Sequence, residues 1–115
     1  MEKAVSRILD AIENQELIWV HGDYDVDGTA STSMVCQFLK EIGGRVDYYI
    51  PDRFEDGYGL SRKSIDMAKE RGATIMLTVD VGITSYEQLA YSAKLGFDNI
   101  ICDHHEPGPS LPISY

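Results

Sequence analysis

Hydrophobic residues along the chain follow a helical spacing in some segments and form short continuous runs in others. In residues 3–14 they recur three or four positions apart, which predicts an amphipathic helix with one buried stripe. The run at 17–20 is continuously apolar, which predicts a strand buried on both faces. Further helices are predicted at about 29–42, 61–71 and 84–95, and further strands at 74–79 and 98–102. Alternating residues predict another strand at 45–50.

Residues with specific roles at helix ends support these boundaries. Glycines at 43–44 and at Gly72 follow the second and third helices, where glycine accepts the left-handed conformation that ends a helix. Ser61 can act as the N-cap of the third helix by accepting a backbone hydrogen bond. Thr84 and Glu87 stand three positions apart, and this spacing predicts a capping box at the start of the fourth helix.

The order of the predicted elements indicates an α/β fold. Strands and helices alternate after the first helix, and continuously apolar strands are typical of a parallel sheet covered by helices on both faces. Right-handed crossovers connect such strands, and ligands bind at their carboxyl ends. Three of these strand ends carry acidic residues or histidines, at 21–27, at Asp80 and at 103–105. We therefore expect one rim of the sheet to gather all of them.

The segment at 21–28 (HGDYDVDG) has an ionisable side chain at every second position. Asp23, Asp25 and Asp27 repel one another when they are ionised, so the cluster costs stability unless a cation lies among them. Carboxylate and imidazole ligands suit divalent ions such as manganese, iron or zinc. The alternative is a solvated loop, since Asp-Gly pairs are common in turns. The acids and histidines at the other strand ends favour the metal site.

Composition and charge narrow the possible functions. The chain has 115 residues, 43% of them hydrophobic, which suits one small domain. Nineteen acidic against ten basic residues give a net charge of −9, which is too acidic for a free-standing nucleic-acid binder with a basic face. Bound divalent ions would offset part of this charge. Cys36 and Cys102 form no CxxC pair, and no apolar segment is long enough for a membrane, so we expect a reducing, cytoplasmic location.

Four segments resemble the successive motifs of the DHH phosphoesterase family. They are residues 21–28 (HGDYDVDG), 51–60 (PDRFEDGYGL), 78–83 (TVDVGI) and 102–108 (CDHHEPG). The tyrosine in the first segment and the RFEDGYG sequence in the second are similar to the RecJ branch of that family. The resemblance implies a Rossmann-like domain, incomplete at its C-terminus, and metal-dependent hydrolysis of single-stranded DNA from the 5′ end. It also implies two Mn²⁺ or Mg²⁺ ions that activate the attacking water.

The same resemblance implies a role for each matching residue. The implied metal ligands are His21, Asp25, Asp27, Asp80 and His104, with Asp23 and His105 as weaker candidates. The implied catalytic residues are Asp103, His104 and His105, and the implied phosphate contacts are Arg53 and His105. Arginine suits a phosphate contact because its planar guanidinium matches two phosphate oxygens.

The chain departs from the family pattern after the last motif. The family's metal site takes another aspartate from beyond that motif, whereas this chain has no acidic residue after Glu106. The second, substrate-binding domain of these enzymes is also missing. We therefore expect residues 1–115 to be the N-terminal portion of a DHH domain, with part of its sheet uncovered. We expect weak metal binding and little activity unless a C-terminal domain or a partner chain completes it.

Three other functions stay open on this sequence. A phosphodiesterase of oligonucleotides or cyclic dinucleotides would use the same motifs, and the missing substrate domain would decide between these substrates. A non-catalytic, truncated binding module would explain the absent last aspartate. A receiver-like domain also gathers acids around magnesium at strand ends, but His21 and the adjacent pair His104 and His105 argue against it.

Overall fold

Four helices alternate with four strands in the computed structural model, which describes residues 2–52, 60–106, 108–109, 111–112 and 114. The helices are α1 (Glu2–Glu13), α2 (Val26–Glu41), α3 (Arg62–Glu70) and α4 (Tyr86–Lys94). The strands are β1 (Leu17–Gly22), β2 (Arg45–Tyr49), β3 (Ala73–Val79) and β4 (Asp98–Cys102). The bounds of β4 equal the predicted ones, and the other elements lie within a few residues of their predicted positions.

All strand pairs in the sheet are parallel, in the order β2-β1-β3-β4. This confirms the predicted α/β fold with a parallel sheet between helices. From β1 the chain moves to one edge of the sheet through α2 and β2, and then crosses to the other side of β1 to form β3 and β4. The strand order therefore reverses between β1 and β3. Such a reversal opens a crevice at the carboxyl ends of the two strands, where ligands of these sheets bind.

Helices pack on both faces of the sheet, which explains why its central strands β1 and β3 are largely apolar. On one face, α1 and α2 cover Val20 and Leu77. On the other face, α3 and α4 cover Trp19 and Met76. Neighbouring residues of a strand point to opposite faces, so a strand that is buried on both sides shows no alternation of apolar and polar residues.

Two helices begin with a side-chain cap. Ser61 caps α3 as predicted, because its hydroxyl accepts a 3.2 Å hydrogen bond from Ser64 N. Asp25 caps α2 by accepting a 2.7 Å hydrogen bond from Gly28 N. This second cap starts α2 at Val26 instead of the predicted position 29, so that the helix reaches into the acidic motif.

The predicted capping box at Thr84 and Glu87 is wrong. Ser85 is the residue that precedes α4, and it makes no side-chain cap. A turn in which Ser85 N donates to Gly82 O (3.0 Å) holds the chain just before the helix. Thr84 lies within this turn, so its hydroxyl is one residue too early to cap α4.

An open apolar groove of about 930 Å³ lies between α1 and α2. Its walls include Leu9, Met34 and Phe38, whose side chains are largely exposed. At one end its lining reaches Asp80 and His104.

Across the part of the chain that the structure describes, every helix is too short or too polar to cross a membrane.

Candidate metal centre

Acidic residues and histidines from three strand ends meet at the carboxyl rim of the sheet. Asp23, Asp25 and Asp80 form one group. Each of them offers one atom that could bind a metal, and these three atoms lie within 4.8 Å of one another. The atoms of Asp80, His104 and His105 form a second group within the same limit. Because Asp80 belongs to both groups, it lies between the residues that follow β1 and those that follow β4.

Asp80 directly follows β3 and has a strained backbone. Its φ of 59° is in the left-handed region, which a residue other than glycine rarely adopts. Its N–H donates a 2.7 Å hydrogen bond to Cys102 O, which ties the ends of β3 and β4 together. Strain of this kind is common at functional sites, where the surrounding structure holds a side chain in one orientation. The side chain of Asp80 is thereby fixed at the crevice with only 6% of the residue exposed.

The carboxylate of Asp80 fits a divalent metal ion. Its Oδ1 atom is buried and accepts no hydrogen bond of acceptable geometry from the described residues, although His104 Nε2 lies 2.5 Å from it. A buried oxygen without a hydrogen bond destabilises a fold unless a cation binds it. The surrounding carboxylates and imidazoles are ligands that divalent ions such as Mn²⁺ accept.

Asp23 lies deeper in the site than its neighbours. It is 2% exposed, and its Oδ1 accepts a 2.8 Å hydrogen bond from Tyr24 N. Burial raises the pKa of Asp23, and the negative charges of Asp25 and Asp80 raise it further, although the hydrogen bond from Tyr24 opposes this. A bound cation would remove that mutual repulsion. The sequence indicated Asp23 only as a weaker ligand, whereas the structure places it in the first group.

Gly28 allows the start of α2 to pack against Asp23. A Cβ atom at position 28 would lie 2.5 Å from Asp23 O and 2.6 Å from Asp23 Cβ, too close for any larger residue without a shift. The glycine of the first motif therefore holds the helix start close to the acidic group. The sequence indicated the motif but could not show this contact.

Asp103 holds the histidine pair in place. Its Oδ1 accepts a hydrogen bond from His105 N (3.1 Å) and lies 2.5 Å from His105 Nδ1, while its Oδ2 accepts one from Ile83 N (3.1 Å). Burial alone would raise the pKa of Asp103, but the hydrogen bonds from His105 and Ile83 lower it overall. The hydrogen bond that His105 makes to Asp103 in turn raises the pKa of His105. The rings of His104 and His105 stack with centroids 4.5 Å apart.

Two other residues that the sequence indicated lie outside these two groups. His21 is fully buried within β1, with its Nδ1 atom 2.8 Å from Ser64 Oγ. Asp27 is exposed in the first turn of α2. Neither of them belongs to the two groups within the 4.8 Å limit among the described residues. Arg53 lies outside the described residues.

One residue next to the site escaped the sequence analysis. Ser64, which bonds His21, is a serine in the first turn of an ordinary amphipathic helix. Such a position is polar in most helices, so its sequence context gave no signal of a buried contact.

Comparisons with known proteins agree with this fold. Residues 17–115 match the family model described as "DHH family, N-terminal domain". The chain is 47% identical over 112 residues to the single-stranded-DNA-specific exonuclease RecJ of Bacillus subtilis (strain 168), a match that covers 97% of this chain and 14% of that protein. It is 42% identical over 113 residues to the RecJ exonuclease of Escherichia coli (strain K12), covering 97% of this chain and 20% of that protein.

Solved structures of RecJ have the same fold. A crystal structure of exonuclease RecJ bound to manganese matches with a TM-score of 0.90 and 35% identity, over 97% of this chain and 29% of that one. RecJ from Thermus thermophilus in complex with Mn²⁺ matches with a TM-score of 0.78 and 30% identity, over 97% of this chain and 16% of that one. This chain therefore spans less than a third of each of these relatives. The family match over 17–115, on a parallel sheet with acids and histidines at its rim, shows that the chain belongs to the DHH family.

Proposed function

We propose that this chain carries the metal-binding part of a phosphodiester-hydrolysing enzyme that acts on single-stranded DNA. The observation that carries the proposal is the position of Asp80, which is shared by two groups of ligand-capable residues at the sheet rim. The relatives with the highest identities given above are named single-stranded-DNA-specific exonucleases, and two related structures hold manganese. Because the chain spans only part of these proteins, we propose only what its own residues do in the reaction.

We propose that the rim holds two divalent cations, Mn²⁺ or Mg²⁺. Asp23, Asp25 and Asp80 would hold one of them, and Asp80, His104 and His105 the other, which makes Asp80 the shared ligand. His21 and Asp27 remain candidate ligands because of their places in the first motif. When bound, such ions activate the attacking water and stabilise the negative charge on the phosphoryl oxygens.

The other residues of the site position these ligands and the substrate. Asp103 accepts hydrogen bonds from His105 and Ile83, and thereby fixes the loop that carries the histidine pair. Asp103 engages His105 Nδ1, so Nε2 is the nitrogen that would bind either the second cation or a phosphate oxygen. We propose His105 and Arg53 as phosphate contacts, the latter on its sequence motif alone.

A titration with Mn²⁺, followed by electron paramagnetic resonance, tests the metal site. We expect two ions to bind per chain, and the Asp80→Asn variant to lose affinity by at least tenfold because one carboxylate serves both groups. Asp10→Asn is the matched control, since Asp10 is an exposed acid on α1. Equal binding by wild type and Asp80→Asn would contradict the proposed site.

A second experiment tests the substrate. We expect the chain to release nucleotides slowly from a 5′-labelled single-stranded oligonucleotide in the presence of Mn²⁺, and Asp80→Asn to show none of this release. A duplex of the same sequence and a cyclic dinucleotide serve as competing substrates. If the cyclic dinucleotide is hydrolysed faster than single-stranded DNA, it becomes the proposed substrate instead. Mn²⁺ binding with no hydrolysis of any of them would favour the binding module.

A further inference from the structure

Three buried side chains connect the first motif to helix α3. Trp19 and His21 lie on the same face of β1, and Ser64 lies in the first turn of α3 above them. All three residues are 0% exposed. Trp19 Nε1 donates a 3.0 Å hydrogen bond to Ser64 Oγ, and Ser64 Oγ lies 2.8 Å from His21 Nδ1.

The chemistry of these groups fixes the direction of one bond. An indole N–H can only donate, so Trp19 occupies one lone pair of the Ser64 hydroxyl. The hydroxyl can then either donate its proton to His21 Nδ1 or accept one from it. In both tautomers of His21, the Nδ1 atom is engaged by Ser64. If the ring turned over, a carbon atom would face Ser64, and the buried hydroxyl would lose that partner.

A second contact holds the plane of the His21 ring. The ring stacks on Tyr49 of β2, with centroids 5.6 Å apart and an angle of 23° between the ring planes. In the sheet, His21 is level with Thr78 of β3, two residues before Asp80. The imidazole is thus held by α3, by β2 and by its own strand.

We infer that Ser64 is a positioning residue for His21, which it holds with Nδ1 against α3 so that Nε2 is the nitrogen presented to a ligand. This inference rests on the proposed metal site for its functional meaning. Histidines that bind metal through one nitrogen usually pair the other with a hydrogen-bonding group, which fixes the ring and raises its basicity. Ser64 supplies that group here, and the Trp19 indole orients the Ser64 hydroxyl.

The ring nitrogens of His21 report on this role without any metal. We would label the histidines with ¹⁵N and record long-range proton–nitrogen spectra of the metal-free chain at about pH 8, above the ordinary imidazole pKa. We expect the Nδ1 shift of His21 to reflect its hydrogen bond with Ser64. In Ser64→Ala this shift is expected to move, because that hydrogen bond is lost.

Ser92→Ala is the matched control. Ser92 on α4 is also 0% exposed, and its hydroxyl donates a 2.7 Å hydrogen bond to Asn99 Oδ1. Ser92→Ala therefore removes the same hydroxyl group from an equally buried serine on a different helix from Ser64. We expect Ser92→Ala to lower stability while the His21 shifts stay as in wild type. Unchanged His21 shifts in Ser64→Ala would overturn the inference.

Mn²⁺ affinity provides the second measurement. Loss of a hydrogen-bonding partner behind a metal ligand typically weakens metal binding by about 10–100-fold, and we expect this of Ser64→Ala. The affinity of Ser92→Ala should stay within about twofold of wild type. If Ser64→Ala does not fold, Ser64→Cys keeps nearly the same volume with a weak hydrogen-bonding group, and the same loss is expected of it.

The two measurements separate this inference from the proposed function. If wild type binds no Mn²⁺, the proposed metal site fails, and the ¹⁵N shifts still decide whether Ser64 holds His21. If wild type and Ser64→Ala bind Mn²⁺ equally well, the metal site stands, and the role of Ser64 in presenting His21 to a metal is overturned.

Discussion

At the residue scale, the site depends on backbone positions that only certain residues can occupy. Asp80 adopts a left-handed conformation that costs stability for an aspartate, and its buried Oδ1 lacks a well-formed hydrogen bond among the described residues. Gly28 lets the first turn of α2 approach Asp23 more closely than any other residue would. The conformation of Asp80 lowers the stability of the metal-free chain, and the close approach at Gly28 restricts that position to glycine. Both features bring carboxylates close enough to bind one cation together.

Gly28→Ala is expected to destabilise the chain although alanine favours helices. A helix interior normally gains about 0.5–1 kcal/mol from this substitution. Here the new methyl group would lie 2.5 Å from Asp23 O, and overpacking of this kind costs about 1–3 kcal/mol. Urea unfolding measures the difference. Thr29→Ala, at the next and exposed position of α2, is the control and should be nearly neutral. A more stable Gly28→Ala chain would contradict the proposed packing.

At the element scale, α1 is held to the sheet by a partly buried network of charged groups. Arg7 donates two hydrogen bonds to Glu16 (2.8 and 3.0 Å) and one to Asp98 of β4 (2.6 Å). Glu16 also accepts a 2.7 Å hydrogen bond from Thr74 of β3. The hydrogen bonds from Arg7, and then the one from Thr74, lower the pKa of Glu16. The network therefore joins α1, β3 and β4.

This network makes stability depend on pH. Because the pKa of Glu16 in the folded chain lies below its ordinary value of 4.5, its contribution is present above about pH 4.5 and is lost as the pH falls through the folded pKa. We expect Glu16→Gln to be less stable than wild type at pH 7, and the difference to shrink below pH 4.5. Urea unfolding at a series of pH values measures it. Glu13→Gln, an exposed acid of α1, should show no such trend.

The elements themselves could be predicted where the pattern of apolar residues determines them. β4 has its predicted bounds, with the apolar pair Ile100 and Ile101 in the strand and the acidic motif beginning directly after Cys102. The start of α2 could not be predicted because it depends on the Asp25 side chain, which also looked like a metal ligand. The capping box at Thr84 failed because a turn at Gly82, absent from the periodicity, displaces the helix start.

At the scale of the whole molecule, the site could be predicted in its location but not in its details. The parallel order of strands required residues 21–27, Asp80 and 103–105 to approach one rim, and the structure brings Asp23, Asp25, Asp80, His104 and His105 together there. Which acids lie closest depends on the path of the chain after β1. That path buries Asp23 and places Asp27 in α2, and no spacing rule in the sequence distinguishes the two.

The apolar groove between α1 and α2 is expected to cause self-association of the isolated chain. Met34 is 71% exposed and Phe38 is 59% exposed on the same helix, and contiguous apolar surface of this kind associates in water. Phe38→Glu should keep the fold and reduce association at high protein concentration, measured by light scattering after size exclusion. Leu111→Glu, at a residue that is also largely exposed but lies outside the groove, should leave association unchanged. A monomeric wild-type chain at all concentrations would contradict this expectation.

The central claim is that Asp80 is shared by two cations at the rim of the sheet. Anomalous diffraction at the manganese absorption edge, from crystals of the chain grown with Mn²⁺, tests it most directly. We expect two manganese peaks that both contact Asp80, one of them beside Asp23 and Asp25 and the other beside His104 and His105. The absence of any peak at Asp80, or peaks only at exposed acids elsewhere, would contradict the account.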